Sequence, residues 1–504
     1  MKRSLALLVL IGTASMIFAQ SPNVIFEKPF RPVSPVVVGQ GGSFTANGSG
    51  WDAFFTNPAA LAGQGSLTLA SINPWIYSTG DMLKFVLAYA GVGQVPGLLG
   101  SVSGRAITTL TMPAGFVPPA DNPDYQTQLL DLVNNFLAQT DAGGVLSGVT
   151  EVVIPASWLA LDPAAIGTDY AQLAPYINDF LAANPAIETA IGNQLASQVL
   201  PPGFPTAPKL RFGTSAGLGL IVKGFGLGVA AILDASVQGD TILQTTGDAT
   251  LTLGFMAGYA LELKLSDHIG LKVGGLLRPM FRVTAPVRVS GLLSAFAPGG
   301  GFDAMGVLDT LLAYYGTGLG IDVGAILGVG PFSVGLAVTD LFDTRFNYQA
   351  STFRRLYDSL LQSQSLPTGD SVTAKHVIPM DVRVGAAFHP DLGVLSFLID
   401  PTVHMEIGNF LTLARRVASG EHLTVRLGDI AAFGAEVRIL RFLKLRAGYY
   451  QGALSAGIGA KLLFIDANVA AYVAPKNGTS VGLSSAGLSN LGDVGITAEL
   501  ALRF

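Results

Sequence analysis

The chain runs to 504 residues, half of them apolar and only 12% charged, with 62 glycines, 28 prolines, no cysteine and a mean hydropathy of +0.49. That balance excludes intrinsic disorder, which needs low hydrophobicity and high charge, and the lack of cysteine excludes a disulfide scaffold, a thiolate metal site and a lipidated cysteine anchor. With 29 Lys and Arg against 34 Asp and Glu, a formal charge of −5, there is no basic excess for nucleic acid to bind.

Lys2 and Arg3 open the chain, and an apolar run from Leu5 to Phe18 follows before the polar Ser21-Pro22-Asn23. A run that short behind a positive start reads as a secretory signal over residues 1–20 and not as a membrane span. Its removal takes away two positive charges and leaves −7. Residues 21–63 do not alternate and are rich in Gly, Pro, Ser and Asn, which marks a small domain ahead of the main body. No later stretch offers about eighteen apolar residues free of charge and turn signals. In lipid every backbone polar group must be paired internally, so an exported apolar chain without helical spans is left with a closed β-barrel.

The alternation fits. Leu251, Leu253, Phe255, Ala257, Tyr259, Leu261 and Leu263 share one parity, and Thr250, Thr252, Glu262 and Lys264 share the other. Successive side chains of a strand point to opposite faces, so this strand has a greasy face and a polar one. Sixteen segments are candidates to span: 65–73, 82–91, 103–113, 209–222, 225–237, 249–265, 269–285, 317–328, 331–340, 378–389, 394–406, 430–440, 442–451, 454–464, 465–474 and 493–504. Such barrels usually hold an even number of strands, and about fourteen antiparallel strands are expected here. On the polar parity, Arg278, Arg282, Arg383 and Arg446 could clamp a ligand carboxylate with their forked guanidinium groups; pairing with Glu262, Asp381, Glu436 and Glu499 is the plainer role.

Residues 118–207 break the strand pattern. Asp121 to Gln139 is a helix with a stripe of Leu129, Leu132, Val133, Phe136 and Leu137. Thr168 to Ala183 continues in helical period with Tyr176, Phe180 and Leu181, Pro185 to Leu200 forms a third helix, and Thr352 to Gln362 a shorter one. Long loops of such barrels lie outside the cell, so these helices are expected there. Their apolar stripes either pack on one another or offer a landing surface for a hydrophobic ligand.

At the C-terminus Ile496, Ala498, Leu500, Leu502 and Phe504 lie on one parity, Thr497, Glu499 and Arg503 on the other. A last strand of this kind ending in Phe resembles the signal read by the assembly machinery of bacterial outer-membrane barrels. Near the N-terminus, Trp51-Asp52-Ala53-Phe54-Phe55-Thr56-Asn57-Pro58-Ala59 follows the Gly-rich Val38-Gly39-Gln40-Gly41-Gly42 and resembles the N-terminal hatch of the FadL/TodX family of outer-membrane hydrocarbon transporters. Leu336 to Phe342, Gly434 to Arg438 and Leu445 to Tyr449 are similar to strand motifs of FadL-like barrels, in particular an uncharacterised group from spirochaetes.

The resemblance implies a plugged fourteen-stranded barrel in the cell outer membrane, with a periplasmic hatch at 21–63 and the barrel over 64–504. It further implies passive inward passage of long-chain fatty acids or other hydrophobic small molecules, caught first on outer loops. Asn57 would hold the hatch through its amide, Pro58 would fix a turn, and Ala59 completes the motif. Partners implied are membrane lipid, the hydrophobic ligand and the assembly machinery. A general aqueous porin, or a surface adhesin or secretion-associated barrel, is the alternative. Enzyme chemistry is not expected: Gly213-Thr214-Ser215-Ala216-Gly217 has the letters of a nucleophile elbow but runs into a strand, not a helix. His268, His376, His389, His404 and His422 show no metal-ligand spacing, and no metal or cofactor is expected.

Overall fold

The computed structural model describes residues 24–63, 65–79, 107–120, 122–140, 150–166, 173, 176–187, 209–239, 245–288, 311–361, 369–372, 374–408, 411, 431–450, 452–475 and 491–504. The expected export signal and the candidate strand 82–91 lie outside them.

Fourteen antiparallel strands close into a barrel. They are β1 (Ser66–Thr79), β2 (Lys209–Val222), β3 (Phe225–Gln238), β4 (Thr246–Ser266), β5 (Ile269–Arg288), β6 (Leu312–Val329), β7 in two pieces (Phe332–Thr339 and Thr344–Thr352) and β8 in two pieces (Lys375–Ile378 and Asp381–Phe388). Then come β9 (Ile399–Ile407), β10 (Ala431–Ile439), β11 (Leu443–Tyr450), β12 (Ala453–Leu462), β13 (Ile465–Pro475) and β14 (Leu491–Arg503). Each pairs with its sequence neighbour, and β1 pairs with both β2 and β14, which closes the ring. Closure removes the unpaired edge that lipid would not tolerate.

Parity sets the two faces. Leu251, Leu253, Phe255, Tyr259, Leu261 and Leu263 of β4 are exposed on the outside, while Thr250, Thr252 and Met256 are buried inside. In β1 the pattern would fail after Leu67 and Leu69, because Ile72 has the opposite parity. A bulge in the pairing with β14 between Thr68 and Ala70 restores it, and Ile72 faces out as well.

Two expectations are corrected. The segment 103–113 is corrected over its described part, 107–113: the strand there, Thr109–Thr111, pairs in parallel with Glu151–Val153 in a separate two-stranded sheet and not with the barrel. The segment 331–340 is only half a strand. Asp340, Phe342 and Asp343 take positive φ, the chain turns a corner, and strand pairing resumes at Thr344 to reach Thr352. Buried ion pairs secure this corner: Arg278 reaches Asp322 at 2.7 Å and Asp340 at 3.1 Å.

Residues 27–62 fill the interior. Three one-turn helices, Pro35–Gly39, Gly50–Phe54 and Pro58–Leu61, touch β1, β4–β6 and β11–β14. Inward-facing glycines make this fit. A Cβ at Gly217 would lie 2.3 Å from the Trp51 ring, one at Gly254 2.4 Å from Phe30, one at Gly335 2.5 Å from the Thr45 carbonyl, and one at Gly448 2.1 Å from the Gly41 nitrogen. Much of the chain's glycine content is thereby explained: the wall is shaved to backbone where the plug lies against it.

The insertion folds separately. The helix Tyr125–Thr140, the helix Ile177–Ala183 and the small sheet share a core of Tyr125, Leu129, Leu132, Val133, Ile154, Trp158 and Phe180. The helix starts at Tyr125, a turn later than the Asp121 expected, because Asn122 and the residues up to Asp124 form a turn that ends in the Asp124 carbonyl accepting from Gln128. Of the expected helix at 185–200, the described part is 185–187. The short helix near residue 355 spans Phe353–Leu361.

Candidate functional site

Wall side chains hold the plug by its backbone. Glu406 accepts from the Phe44 and Thr45 amides at 2.8 and 2.9 Å, Thr497 donates to the Val33 carbonyl at 2.6 Å, and Arg278 donates to the Phe30 carbonyl at 3.2 Å. These bonds satisfy polar groups that water cannot reach. Asn57 is wholly buried: its Nδ2 donates to the carbonyls of Thr45, Leu336 and Ala325 at 2.9, 3.3 and 3.4 Å, and its Oδ1 accepts from the Ala59 amide at 3.0 Å. Pro58 starts the turn that follows, and its carbonyl backs onto Gly274.

Above the plug, on the side of the long loops, is a cavity of about 700 Å³. Its floor is plug: Pro32, Val33, Val37, Val38, Phe55 and Asp52. Its wall includes Tyr77, Ala432, Tyr450, Ala453 and Tyr472, with Tyr77 and Tyr472 in ring contact at 5.0 Å. That volume and apolar lining suit a drug-sized ligand with a few polar contacts.

The charges around it are mostly spoken for. Lys28 bonds Asp248 at 2.7 Å and Asp234 at 3.1 Å, and Arg211 closes on the same Asp234 at 2.5 Å. Arg383 holds both Asp381, at 2.6 Å, and Glu406, at 3.4 Å. Arg31, on the plug, also lines the cavity, and among the described residues its guanidinium has no hydrogen bond and no ion pair. The positive charge of Arg383 and then burial hold its pKa down to about 10, so it stays charged at neutral pH. Asp52 is buried in the plug; burial, then the charge of Glu499, pushes its carboxyl up to about 6, against the pull of Arg503 and Arg446.

The four arginines picked from the sequence are all engaged. Arg278 pairs with Asp322 and Asp340; Arg282 bonds Glu27 at 3.2 Å and the Lys28 carbonyl at 2.9 Å; Arg446 bonds Glu436 at 2.7 Å and Asn468 at 2.9 Å; Arg383 is paired as above. A buried guanidinium needs a carboxylate; the wall supplies one to Arg278, Arg383 and Arg446, and the plug supplies Glu27 to Arg282. Among the described lining residues the cation without a partner is Arg31, which strand parity could not single out because residues 21–63 do not alternate. The signal available was that 21–63 holds only four charged residues, Glu27, Lys28, Arg31 and Asp52.

The loop residues are corrected too. Leu129, Leu132, Val133, Phe180 and Leu181 are buried in the insertion's own core, and Tyr176 packs partly buried against it. Those side chains offer no landing surface. The side chains of Phe136 and Leu137 lie outside the described residues. Leu500, Leu502 and Phe504 face outward, and Phe504 stacks on Phe464 at 5.5 Å. Ser215 faces the interior from mid-strand in β2, with no histidine bonded to it among the described residues.

A second cavity of about 1240 Å³ opens at the short-turn side, lined by Asn47, Ser49, Glu262, Lys264 and His268 among others. It shares no lining residue with the upper cavity. The plug therefore stands between the two.

Closed barrels with an apolar outer belt, short turns at one end and long loops at the other are outer-membrane structures, and this chain is a plugged, fourteen-stranded outer-membrane β-barrel. It has the architecture that the FadL/TodX resemblance implies. No family model matches the chain, and no curated protein sequence does. Among solved structures it is similar to the toluene transporter TbuX of Ralstonia pickettii, at 13% identity over 94% of this chain and 98% of that one, with a TM-score of 0.40. It is also similar to the toluene transporter TodX of P. putida (9% identity, 94% and 99% covered, TM-score 0.39) and to a Pseudomonas aeruginosa FadL homologue (11%, 95% and 99%, 0.40). The class assignment rests on the strand pairing and the lipid-facing belt, not on these likenesses.

Proposed function

We propose that the chain is a passive outer-membrane channel for hydrophobic small molecules, long-chain fatty acids foremost. The observation that carries this reading is the cavity of about 700 Å³ above the plug, apolar on its floor and wall, with the one unpaired cation, Arg31, among its described lining residues. An acyl chain would lie along Val33, Val37, Val38 and Phe55. Its carboxylate would take the forked bond that Arg31 makes with nothing else. The ligand would leave as the plug shifts, since the upper and lower cavities share no lining residue among those described.

An aqueous porin needs a continuous polar lumen, and the separation of the two cavities speaks against it. The adhesin or secretion role rests only on the outer insertion. Recognition of the last strand by the assembly machinery stays part of the proposal, carried by the outward row Leu500, Leu502 and Phe504.

The test is equilibrium binding of radiolabelled palmitate and of hexadecanol to the folded, detergent-solubilised protein. Saturable binding of both is expected. Losing one charge-assisted hydrogen bond is worth about 1.5–3 kcal/mol, so Arg31→Leu should weaken palmitate roughly ten- to hundred-fold and leave hexadecanol unchanged. No saturable binding of either by a folded barrel sinks the channel reading. Binding of both, with Arg31→Leu neutral for palmitate, removes only the assignment of the acid head.

A further inference from the structure

The short-turn ends of the barrel differ from one arc to the other. Over β2–β7 the turns are polar or glycine-rich: Lys223-Gly224, Asp267-His268 and Gly330-Pro331. Over β8–β13 they are apolar. The β8–β9 connection carries the one-turn helix Gly393–Phe397, in which Val394 is 93% exposed and Phe397 53%. The β10–β11 turn is Leu440-Arg441-Phe442, and the β12–β13 turn is Leu463-Phe464, with Leu463 89% exposed.

Two further observations make this arc more than a greasy surface. First, Leu440, Arg441 and Leu463 take φ of 51°, 63° and 55°. Tight hairpin turns place Asn or Gly at such positions because a Cβ there is strained. The opposite arc places Gly224 and Gly330 there, with φ of 83° and 56°, and the polar Lys223 at 49°. The leucines put apolar side chains, Leu463 almost fully exposed, where the opposite arc has lysine or glycine.

Second, the wall is short here. β4 and β5 have 21 and 20 residues, but β10, β11 and β12 have 9, 8 and 10. At roughly 3.3 Å per residue and a tilt of about 40°, eight residues rise only about 20 Å, short of an apolar band about 25 Å tall. The outer end of this hairpin does not make up the difference, since β11 ends at Tyr450 and β12 begins at Ala453.

We propose that the short-turn rim over β8–β13 is immersed in the phospholipid of the periplasmic leaflet, with acyl chains covering Val394, Phe397, Leu440, Phe442, Leu463 and Phe464. The surface is continuous with the lipid-facing belt, through Leu398, Ile399, Leu462 and Ile465. Arg441, whose guanidinium lies 5.6 Å from the Phe397 ring centre, is the cation that reaches back to the lipid phosphates. The barrel then sits deeper on this arc than on the arc of Lys223 and Asp267, whose turns stay in water.

The chain has no cysteine, so single labels report cleanly. Nitroxide would be attached to Leu463→Cys, Val394→Cys, Lys223→Cys and Asp267→Cys in the full chain, refolded into vesicles of phosphatidylethanolamine and phosphatidylglycerol. Heat-modifiable mobility on gels identifies folded samples, and two positions per arc keep the comparison if one variant fails to fold. Collision with oxygen relative to a polar nickel chelate should be at least five-fold higher at 394 and 463 than at 223 and 267. Equal access of the chelate to both arcs overturns the proposal, because a soluble partner or a second copy would leave the rim in water in these vesicles.

Discussion

Two segments of this chain lie apart from the barrel strands, and they fold by different means. The plug has no core of its own. Trp51, Phe54 and Leu61 belong to one cluster with Trp75, Met256, Leu276 and Phe346 of the wall, and its backbone bonds end on wall side chains. Among the described residues the insertion's core holds no barrel residue. A segment shaped by its surroundings answers to changes in them; a segment with a private core does not. On the proposed function, ligand chemistry gathers where plug meets wall, and the insertion is a passenger of the outer loops.

The hardest test of that difference is a side chain where the wall has none. In Gly448→Val the new Cβ would sit 2.1 Å from the Gly41 nitrogen, and backbone cannot move aside as a flexible side chain can. The plug should be displaced while the barrel still assembles, and single-channel recordings should change from closed to stably conducting. A closed, silent variant would show that close approach at this glycine does not place the plug. The matching change in the insertion is Trp158→Ala. Trp158 stacks on Phe180 at 4.6 Å and donates to the Tyr176 carbonyl at 2.9 Å. Its loss should cost about 3–5 kcal/mol, expose the insertion to protease, and leave palmitate binding and barrel heat stability where they were. A proportional fall in palmitate binding would break the separation between the two segments.

The same contrast explains what could be read in the sequence. Period-two alternation against lipid is a strong local signal, so β4, β5, β10, β11 and β14 were legible almost to their ends. It fails where the backbone leaves the ladder: the β1 bulge, which reverses parity at Thr68–Ala70, and the corner at 340–343, beyond which Thr344 to Thr352 went unseen. Helical stripes in the insertion were legible too, but a stripe does not say what covers it, and Leu129 and Phe180 cover each other's core. The site was least legible. Arg278, Arg282, Arg383 and Arg446 stand out by parity, yet parity cannot show that Asp322, Glu27, Asp381 and Glu436 come to meet them. Arg31 matters by lacking such a partner, and a missing partner is visible only in three dimensions.

A smaller effect is expected from Asn57→Ala. The amide ties three carbonyls from the plug, β6 and β7, and Gly324 leaves room for it, a Cβ there falling within 1.9 Å of Oδ1. Truncation leaves those carbonyls short of a donor at a cost of about 2 kcal/mol. The barrel should stay folded, with brief conducting bursts as the plug loosens; silence equal to the parent would mean that the wall's glycines hold the plug without this amide.

The gentlest probe is Asp52→Asn, and its sign can be worked out in advance. Burial raises the folded-state pKa of Asp52 from 3.8 to about 6, so the folded protein holds a proton that the unfolded chain releases. The plug is then best packed below about pH 4 and loses stability as pH rises from there through about 6. The rise to about 6, with the pull of Arg503 and Arg446 already in it, is worth about 3 kcal/mol, which for a chain this long is only about 3 °C in Tm between pH 4 and 7. Asparagine carries no charge at either pH and should flatten that slope. A parent protein whose stability does not fall over this range, or a variant that retains the full fall, would show that Asp52 is not the group responsible. The wall carboxylates, already paired with Arg383 and Arg446, would then be the place to look, and the plug would be less sensitive to its surroundings than its lack of a private core implies.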